Sequence, residues 1–585
     1  MVAAYKSGLY ALVRTDGAPL VLADLTAFGF QPDAASTTWH AMGRDGSAGP
    51  AHDTAHVDGT TTMLVGDSWD PDRLINLLRL PPGSSPARIA AAALAQYGPA
   101  TPLHLPGEWT LFHRRANGQV TVMLSAARRD PLLYAQSGAR LACAPDLFAL
   151  ARLDWVDTAI DETGLLAALG RPPVRQVRGA RTILRGVREL PPGATLILTP
   201  AGTLSIVQCP PAPAPARFAG TFADAVELAR AYLLAAMRQR LERYPDTAIL
   251  LSGGLDSSLL AWLARACGAD AARVVCITSA APEGSGLADE TRYAALVAGQ
   301  LGLPLIKVAP GEALQAYRPD DAILASANGP PLGNRHFLTS AFQQAAAASG
   351  SQRLLNGTFG ELTATRRLSA GTGPRDWRRR ISQLRQRFAG VNRDPEWQPF
   401  HVRLAPHRLG NLPPEIRAVQ HQRFPHEPPP ADAALLGFAP GSDKALSQPN
   451  EFYAGAIRME FPFRDPALLH LFAGFPRALF NGERGDRGAV RALLNGQLPD
   501  EIRLRRTGMP ASPDHLPRLQ RHAAAARTRI SAFRAAEIDD WIDLNWLDQA
   551  LAQLDARGTT SNGVANAVQL TAIAAEFLLW WRSQT

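Results

Sequence analysis

Cysteine is scarce in this chain. Cys143, Cys209, Cys267 and Cys276 are the only four in 585 residues, and no two form a CxxC pair. That spacing argues against a structural zinc site or a disulfide framework and leaves ordinary buried thiols. Lysine is scarcer still: of 60 basic residues, all but Lys6, Lys307 and Lys444 are arginine. The formal charge of +8 therefore reflects a compositional habit more than a nucleic-acid footprint, although residues 374 to 388 ("PRDWRRRISQLRQRF") concentrate arginine. No secretory signal is expected, because Lys6, Arg14, Asp16 and Asp24 interrupt the first thirty residues. A charge-free apolar run long enough to span a bilayer is missing too; Ala565 to Trp581 comes nearest but holds Gln569 and Glu576. The expectation is a cytoplasmic protein with neither membrane nor nucleic-acid partner.

What is present suits two domains or more, since 585 residues exceed one ordinary core. A hydrophobic fraction of 46% and a charged fraction of 19% are those of a globular chain. Up to Gln208, short apolar segments such as "TTMLVG", "VTVMLS" and "ATLILTP" alternate with Gly, Pro and Asp turns, which predicts a β-rich α+β domain over 1–208. "CPPAPAPAR" (209–217) reads as a stiff connector. Beyond it, "TAILLS", "RVVCITSA" and "PLIKVAP" alternate with helical patterns, which predicts an α/β doubly wound domain with a parallel sheet over 218–585. The later part reads as mostly helical, with a Pro-rich stretch at 424–434 and no repeat of solenoid type.

The chemistry points to "LSGGLDSS" (251–258), set between a buried strand and a helix. Its amides and the positive end of the helix dipole form an anion site. Gly253 and Gly254 let the backbone close around oxygens, and Ser252, Ser257 and Ser258 add hydroxyl donors. Leu251 and Ile277, at strand ends, are expected to border the same nucleotide. No GKS or GKT follows, so this is not a Walker A loop, and it is not GxGxxG either.

The SGGxDS pattern resembles the pyrophosphate loop of the ATP-pyrophosphatase superfamily, whose members split ATP between the α- and β-phosphates. Within it, the chain is similar over nearly its whole length to the asparagine synthetase group. Residues 126–150 ("AARRDPLLYAQSGARLACAPDLFAL") and 182–204 ("TILRGVRELPPGATLILTPAGTL") resemble that group's amino-terminal glutaminase (Ntn) domain. Such glutaminases use an amino-terminal cysteine; position 2 is Val2 and no cysteine precedes Cys143, which implies an inactive glutaminase-like domain. Two branches lacking this cysteine, β-lactam synthetases and lasso-peptide macrocyclases, adenylate a carboxylate that an amine of the same molecule attacks.

The resemblance also implies roles for individual residues. Asp256 would bind magnesium. "LLNGTFGEL" (354–362) is similar to the family's second loop, with Gly357 beside the nucleotide, Gly360 fitting the pattern, and Glu361 as a second magnesium ligand. Thr358 stands where asparagine synthetases have glutamate and β-lactam synthetases tyrosine, which counts against both activities. "AIRMEFPFRDPALLHLF" (456–472) brings Arg458 and Glu460; Glu460 is carried as a catalytic candidate, with an ordinary ion pair as the alternative. In "LPDEIRLRRTGMPASPD" (498–514) the family lysine falls at Thr507, so Arg505 and Arg506 become the candidates for charge stabilisation of the adenylate. "GVANAVQLTAIAAEFLLWWR" (563–582) looks like the closing helix of lasso cyclases, and its spacing favours packing of Phe577, Trp580 and Trp581 into a core.

The resulting expectation is an ATP- and Mg2+-dependent macrocyclase. It would adenylate an Asp or Glu side chain of a ribosomal precursor peptide and join it to the peptide's terminal amine, releasing AMP and pyrophosphate. A leader peptidase and a leader-recognition protein would be its partners. The alternatives are a small-molecule amide or β-lactam-type synthetase, an asparagine synthetase using free ammonia, and a tRNA-modifying ATP pyrophosphatase.

Overall fold

Short alternating segments pair locally before the chain reaches residue 208. The computed structural model describes residues 11–15, 39–41, 52–68, 70–127, 131–145, 147–171, 173–210, 213, 215–365, 399–421, 457–480, 487–505, 508, 511–557 and 562–584. The arginine run at 374–388, the Pro-rich stretch at 424–434, Arg506 and Thr507 lie outside them.

The strands before Gln208 are β1 (Ala11–Arg14), β2 (Trp39–Ala41), β3 (His52–Val57), β4 (Thr60–Ser68), β5 (Gly107–Arg114), β6 (Val120–Leu124), β7 (Leu132–Ser137), β8 (Arg140–Ala144), β9 (Arg188–Leu190), β10 (Ala194–Leu198) and β11 (Leu204–Gln208). They form two antiparallel sheets, ordered β2-β1-β8-β7-β9 and β11-β10-β6-β5-β4-β3. Asp58 and Gly59 make the two-residue turn between β3 and β4, with φ of 46° and 71°. That backbone matches the twist of a hairpin and suits an Asp-Gly pair. Val13, Leu132 and Leu141 of one sheet meet Met63, Phe112 and Val122 of the other in a buried layer. Helix α1 (Pro86–Tyr97), capped by Ser85, lays Ile89 and Ala90 on Leu64, Trp109 and Leu111.

After residue 217 the pairing becomes parallel. Helix α2 (Phe222–Arg243) starts at a capping box of Thr221 and Asp224. Then follow β12 (Thr247–Leu250), α3 (Leu255–Ala266), β13 (Val274–Ser279), α4 (Thr291–Leu301), β14 (Leu305–Val308), α5 (His336–Ala348), β15 (Arg353–Leu355) and β16 (Arg458–Glu460). The sheet runs β14-β13-β12-β15-β16 and every pair is parallel. The order turns back at β12, so the loops after β12 and β15 open at a topological switch point, where ligands of doubly wound sheets bind. The expected mixed architecture, α+β followed by doubly wound α/β, is the one observed.

Helices α6 (His515–Arg527) and α7 (Asn562–Gln584) close the chain. Residues 563–584 are long and apolar enough to cross a membrane, yet 67% of their apolar window is buried inside the protein. Val568, Ile573, Phe577 and Trp581 of α7 share one core with Leu133, Ala135, Ala142 and Ala144 of the first sheet. The aromatic end of α7 is therefore packing, with Phe577 and Trp581 stacked at 6.3 Å, and Glu576 is held by Arg529 at 2.7 and 2.8 Å. All four cysteines are free thiols, Cys143 and Cys276 buried, and burial pushes Cys276 up to about 12.

Candidate active site

The loop between β12 and α3 is shaped by what glycine lacks. Gly253 adopts φ +69°, and a Cβ there would overlap the Cβ of Tyr293 on α4. Gly254 caps α3 in an extended conformation. The serines fasten the loop: the Ser252 amide donates to Ser257 Oγ at 3.1 Å, the Gly254 amide donates to Ser252 Oγ at 3.3 Å, and Ser257 Oγ donates to the Gly254 carbonyl at 3.1 Å. The closed loop aims the amino-terminal end of a 12-residue helix at the space above the sheet, where the helix dipole favours an anion.

That space is a cleft of about 420 Å³. Leu251, Ser252, Gly254, Asp256 and Ser257 line it from the loop, Ile277, Thr278 and Ser279 from the end of β13, and Asn356, Gly357, Thr358 and Glu361 from the turn after β15. Two of the nucleotide-site candidates are set back: Gly253 braces the loop from behind, and Ser258 is fully buried beneath it. Glu290, Phe342, Ala511 and Pro513 complete the wall.

Asp256 and Glu361 thus face one cleft. The second loop fits against the first only because it carries glycine: a Cβ on Gly360 would overlap the Asp256 carboxylate, and one on Gly357 would come within 3.0 Å of the Ser257 nitrogen. The Thr365 hydroxyl donates to the Asp256 carboxylate. Among the described residues no group of three or more His, Cys, Asp and Glu side chains is arranged to hold a metal ion. Two carboxylates beside an anion loop are the donor set with which magnesium is held jointly by protein and phosphate oxygens. The residues present fit both groups.

Arg505 lies against the loop. Its guanidinium stacks 3.8 Å from the Tyr293 ring centre, donates to the Gly253 carbonyl at 3.3 Å and pairs with Glu290. Arg505 therefore braces the loop with part of its charge taken up by Glu290.

Glu460 is a different case. The structure removes it from the cleft: the residue is 8% exposed, with Arg353 Nε at 3.0 Å and Arg240 Nε at 3.8 Å. Burial first, then the Glu108 carboxylate, push it above the usual carboxylate range against the pull of Arg458, Arg353 and Arg240. It is an ion-pair residue whose backbone carbonyl accepts from the Asn356 amide at 2.7 Å, tying the second loop to β16. Sequence reading passed over Glu290 and Phe342, which lie in no recognisable motif, and over Pro513, which stood unremarked inside the quoted 498–514 stretch. Asn356 stood inside the quoted second loop; its Oδ1 accepts from the Thr358 amide at 3.0 Å and hydroxyl at 2.8 Å.

Residues 228–387 match the profile of the asparagine synthase family, whose members are ATP-dependent carbon–nitrogen ligases. The matched span contains β12, α3, β13, β14 and both cleft loops. No protein of curated description matches the chain. Among solved structures, one match is glutamine phosphoribosylpyrophosphate amidotransferase from B. subtilis complexed with ADP and GMP, 12% identical, covering 60% of this chain and 76% of that one at a TM-score of 0.22. An overlap that loose supports no statement about activity.

Proposed function

Taking residues 228–387 as a domain of asparagine synthase type, we propose that this protein is an AMP-forming ligase that closes the isopeptide ring of a lasso peptide. The observation that carries the ligase chemistry is the anion loop at the switch point, with Asp256 and Glu361 on the same cleft. A carboxylate oxygen from an Asp or Glu side chain attacks the α-phosphorus of ATP, and pyrophosphate departs toward the Ser252 to Ser258 loop. The peptide's terminal amine then attacks the acyl carbon and AMP leaves. Magnesium, held by Asp256 and Glu361, would neutralise phosphate charge. Asp256 and Glu361 bind, the loop orients, and Arg505 keeps the loop closed.

Two features favour an internal amine. No cysteine precedes Cys143, and Thr358 lines the cleft in place of the glutamate or tyrosine of the other branches. On this reading the chain works in the cytoplasm beside a leader peptidase and a leader-recognition protein. A small carboxylate is the second reading: about 420 Å³ is at the lower end of ordinary small-ligand sites and leaves little room beyond a nucleotide.

The test is intact mass spectrometry of a precursor peptide encoded beside this chain, incubated with Mg-ATP, the leader peptidase and the protein. Loss of one water from the core peptide with an equal amount of AMP supports macrocyclisation. AMP formed only with free aspartate and ammonia supports the small-molecule reading, and RNA-dependent AMP formation defeats both.

A further inference from the structure

Among the described residues that line the cleft, the charged ones are Asp256, Glu290 and Glu361, all acids. Asp256 and Glu361 suit magnesium. Glu290 has no such role, and a bare carboxylate on the wall of an anion site repels the anion. Its place is set by the residue before it: the Asp289 carboxylate accepts from the amides of Ala281 at 2.9 Å and Thr291 at 3.0 Å and from the Thr291 hydroxyl at 2.6 Å. These bonds tie the start of α4 to the chain leaving β13. Glu290 then meets the Arg505 guanidinium, and both side chains are only 11% exposed. Little water is at hand to replace either charge if the other is removed.

Arg505 reaches the anion loop with the rest of its guanidinium. Nη1 donates to the Gly253 carbonyl at 3.3 Å, the group lies over the Tyr293 ring, and buried Arg491 donates from Nη2 to the Arg505 carbonyl at 3.4 Å. In a trans peptide the C=O and N–H point in opposite directions. The peptide whose carbonyl goes to Arg505 therefore carries the Gly254 N–H on its other edge, where it donates to Ser252 Oγ at 3.3 Å. Gly254 and Ser252 line the cleft, whereas Gly253 and Arg505 stand behind it. A peptide between two glycines has no side chain to resist rotation. The partner on its carbonyl decides which edge the cleft receives.

We propose that Glu290 is a positioning residue for the anion loop: by fixing Arg505 it keeps the Gly253 carbonyl behind the loop and leaves the Gly254 N–H for the departing pyrophosphate. This role rests on the ligase reading above. With the peptide turned over, a carbonyl oxygen would meet the pyrophosphate oxygens, acceptor against acceptor. The proposal thus fixes a sign. Removing the negative charge of Glu290 weakens pyrophosphate binding, whereas repulsion alone predicts that it tightens.

The experiment titrates the full chain with magnesium pyrophosphate and, separately, with AMP, which lacks the leaving group. In Glu290→Gln the dissociation constant for pyrophosphate rises about 10-fold, while that for AMP changes less than about twofold. The double variant Glu290→Gln/Arg505→Ala binds pyrophosphate no more weakly than Arg505→Ala, because Glu290 acts only through Arg505. A merely structural role would weaken both ligands alike. Tighter or unchanged pyrophosphate binding in Glu290→Gln, equal losses for pyrophosphate and AMP, or a further loss in the double variant overturns the assignment while the ligase reading stands. No pyrophosphate binding by the unsubstituted chain overturns both. Should Glu290→Gln fail to fold, Arg505→Lys decides: lysine keeps the charge but lacks the fork that spans Gly253 and Glu290, so the same selective loss is expected, and unchanged affinities overturn the assignment.

Discussion

Asp256 is held from several sides. It lies in the first turn of α3, accepts from Thr365, and has Gly360 pressed against its carboxylate with no room for a methyl group and Gly357 close beside it. Asp256→Asn keeps the shape and removes the charge, and ATP–pyrophosphate exchange is expected to fall on the order of 100-fold or more. Gly360→Ala inserts a Cβ into the carboxylate, so the urea midpoint should drop by an amount worth about 1–3 kcal/mol, together with exchange. A Gly360→Ala protein of unchanged stability and activity would show that the two loops do not meet as described. Gly253→Ala combines a left-handed backbone with a clash against Tyr293 and should destabilise by a similar amount of about 1–3 kcal/mol.

At the scale of elements, buried histidines make the helical region acid-sensitive. His336, at the start of α5, donates toward the Ala316 carbonyl at 3.1 Å, and burial lowers its pKa to about 4. His401 is lowered to about 3, first by burial and then by Arg175 and Arg171. Between pH 6.5 and about 4 the unfolded chain binds a proton at His336 that the fold refuses, so stability rises with pH in that window and is lost as pH falls through it. The slope is at most about 1.4 kcal/mol per pH unit for each histidine. His336→Gln keeps a donor to Ala316 and should flatten the change in urea midpoint between pH 7 and pH 5; an unaltered slope would exclude His336 as its source.

The same scale shows what could be read without coordinates. The strand, anion loop and helix from Thr247 to Ala266 were legible because each carries its own local signal: a buried apolar run, two glycines, then helical periodicity. The pairing of Glu361 with Asp256 came from the resemblance of residues 354–362 to the family's second loop, and both residues line one cleft. Glu460 stayed open between a catalytic role and an ion pair because its partners, Arg353 and Arg240, arrive from β15 and α2, and no local pattern reports an ion pair between distant segments.

At the scale of the whole molecule, the antiparallel sheets are tied to the parallel one by buried charge. Arg458 on β16 meets Glu108 on β5 at 2.6 Å, and Tyr244 and Arg243 at the end of α2 reach Asp67 on β4 at 2.8 and 3.2 Å. Arg353, which holds Glu460, lies 3.6 Å over the Tyr244 ring. Arg458→Met would leave Glu108 and Glu460 facing each other without that guanidinium, and should cost about 3–5 kcal/mol. Glu460 is already above the usual carboxylate range, so the deficit should shrink as pH falls and Glu460 protonates. Denaturation at pH 8 and pH 5 measures this; a deficit independent of pH would mean that packing, not charge, joins the two sheet systems. The same frame holds β16, and through the Glu460 carbonyl the second cleft loop, so loss of Arg458 should also weaken exchange.

The most direct measurement of the central claim is the identity of the nucleotide and peptide products in one reaction with Mg-ATP, the core peptide and this protein. AMP, pyrophosphate and a peptide lighter by one water, all lost in Asp256→Asn, are the products expected of carboxylate adenylation followed by ring closure. ADP and phosphate in their place, or a dehydrated peptide formed undiminished by Asp256→Asn, would contradict it.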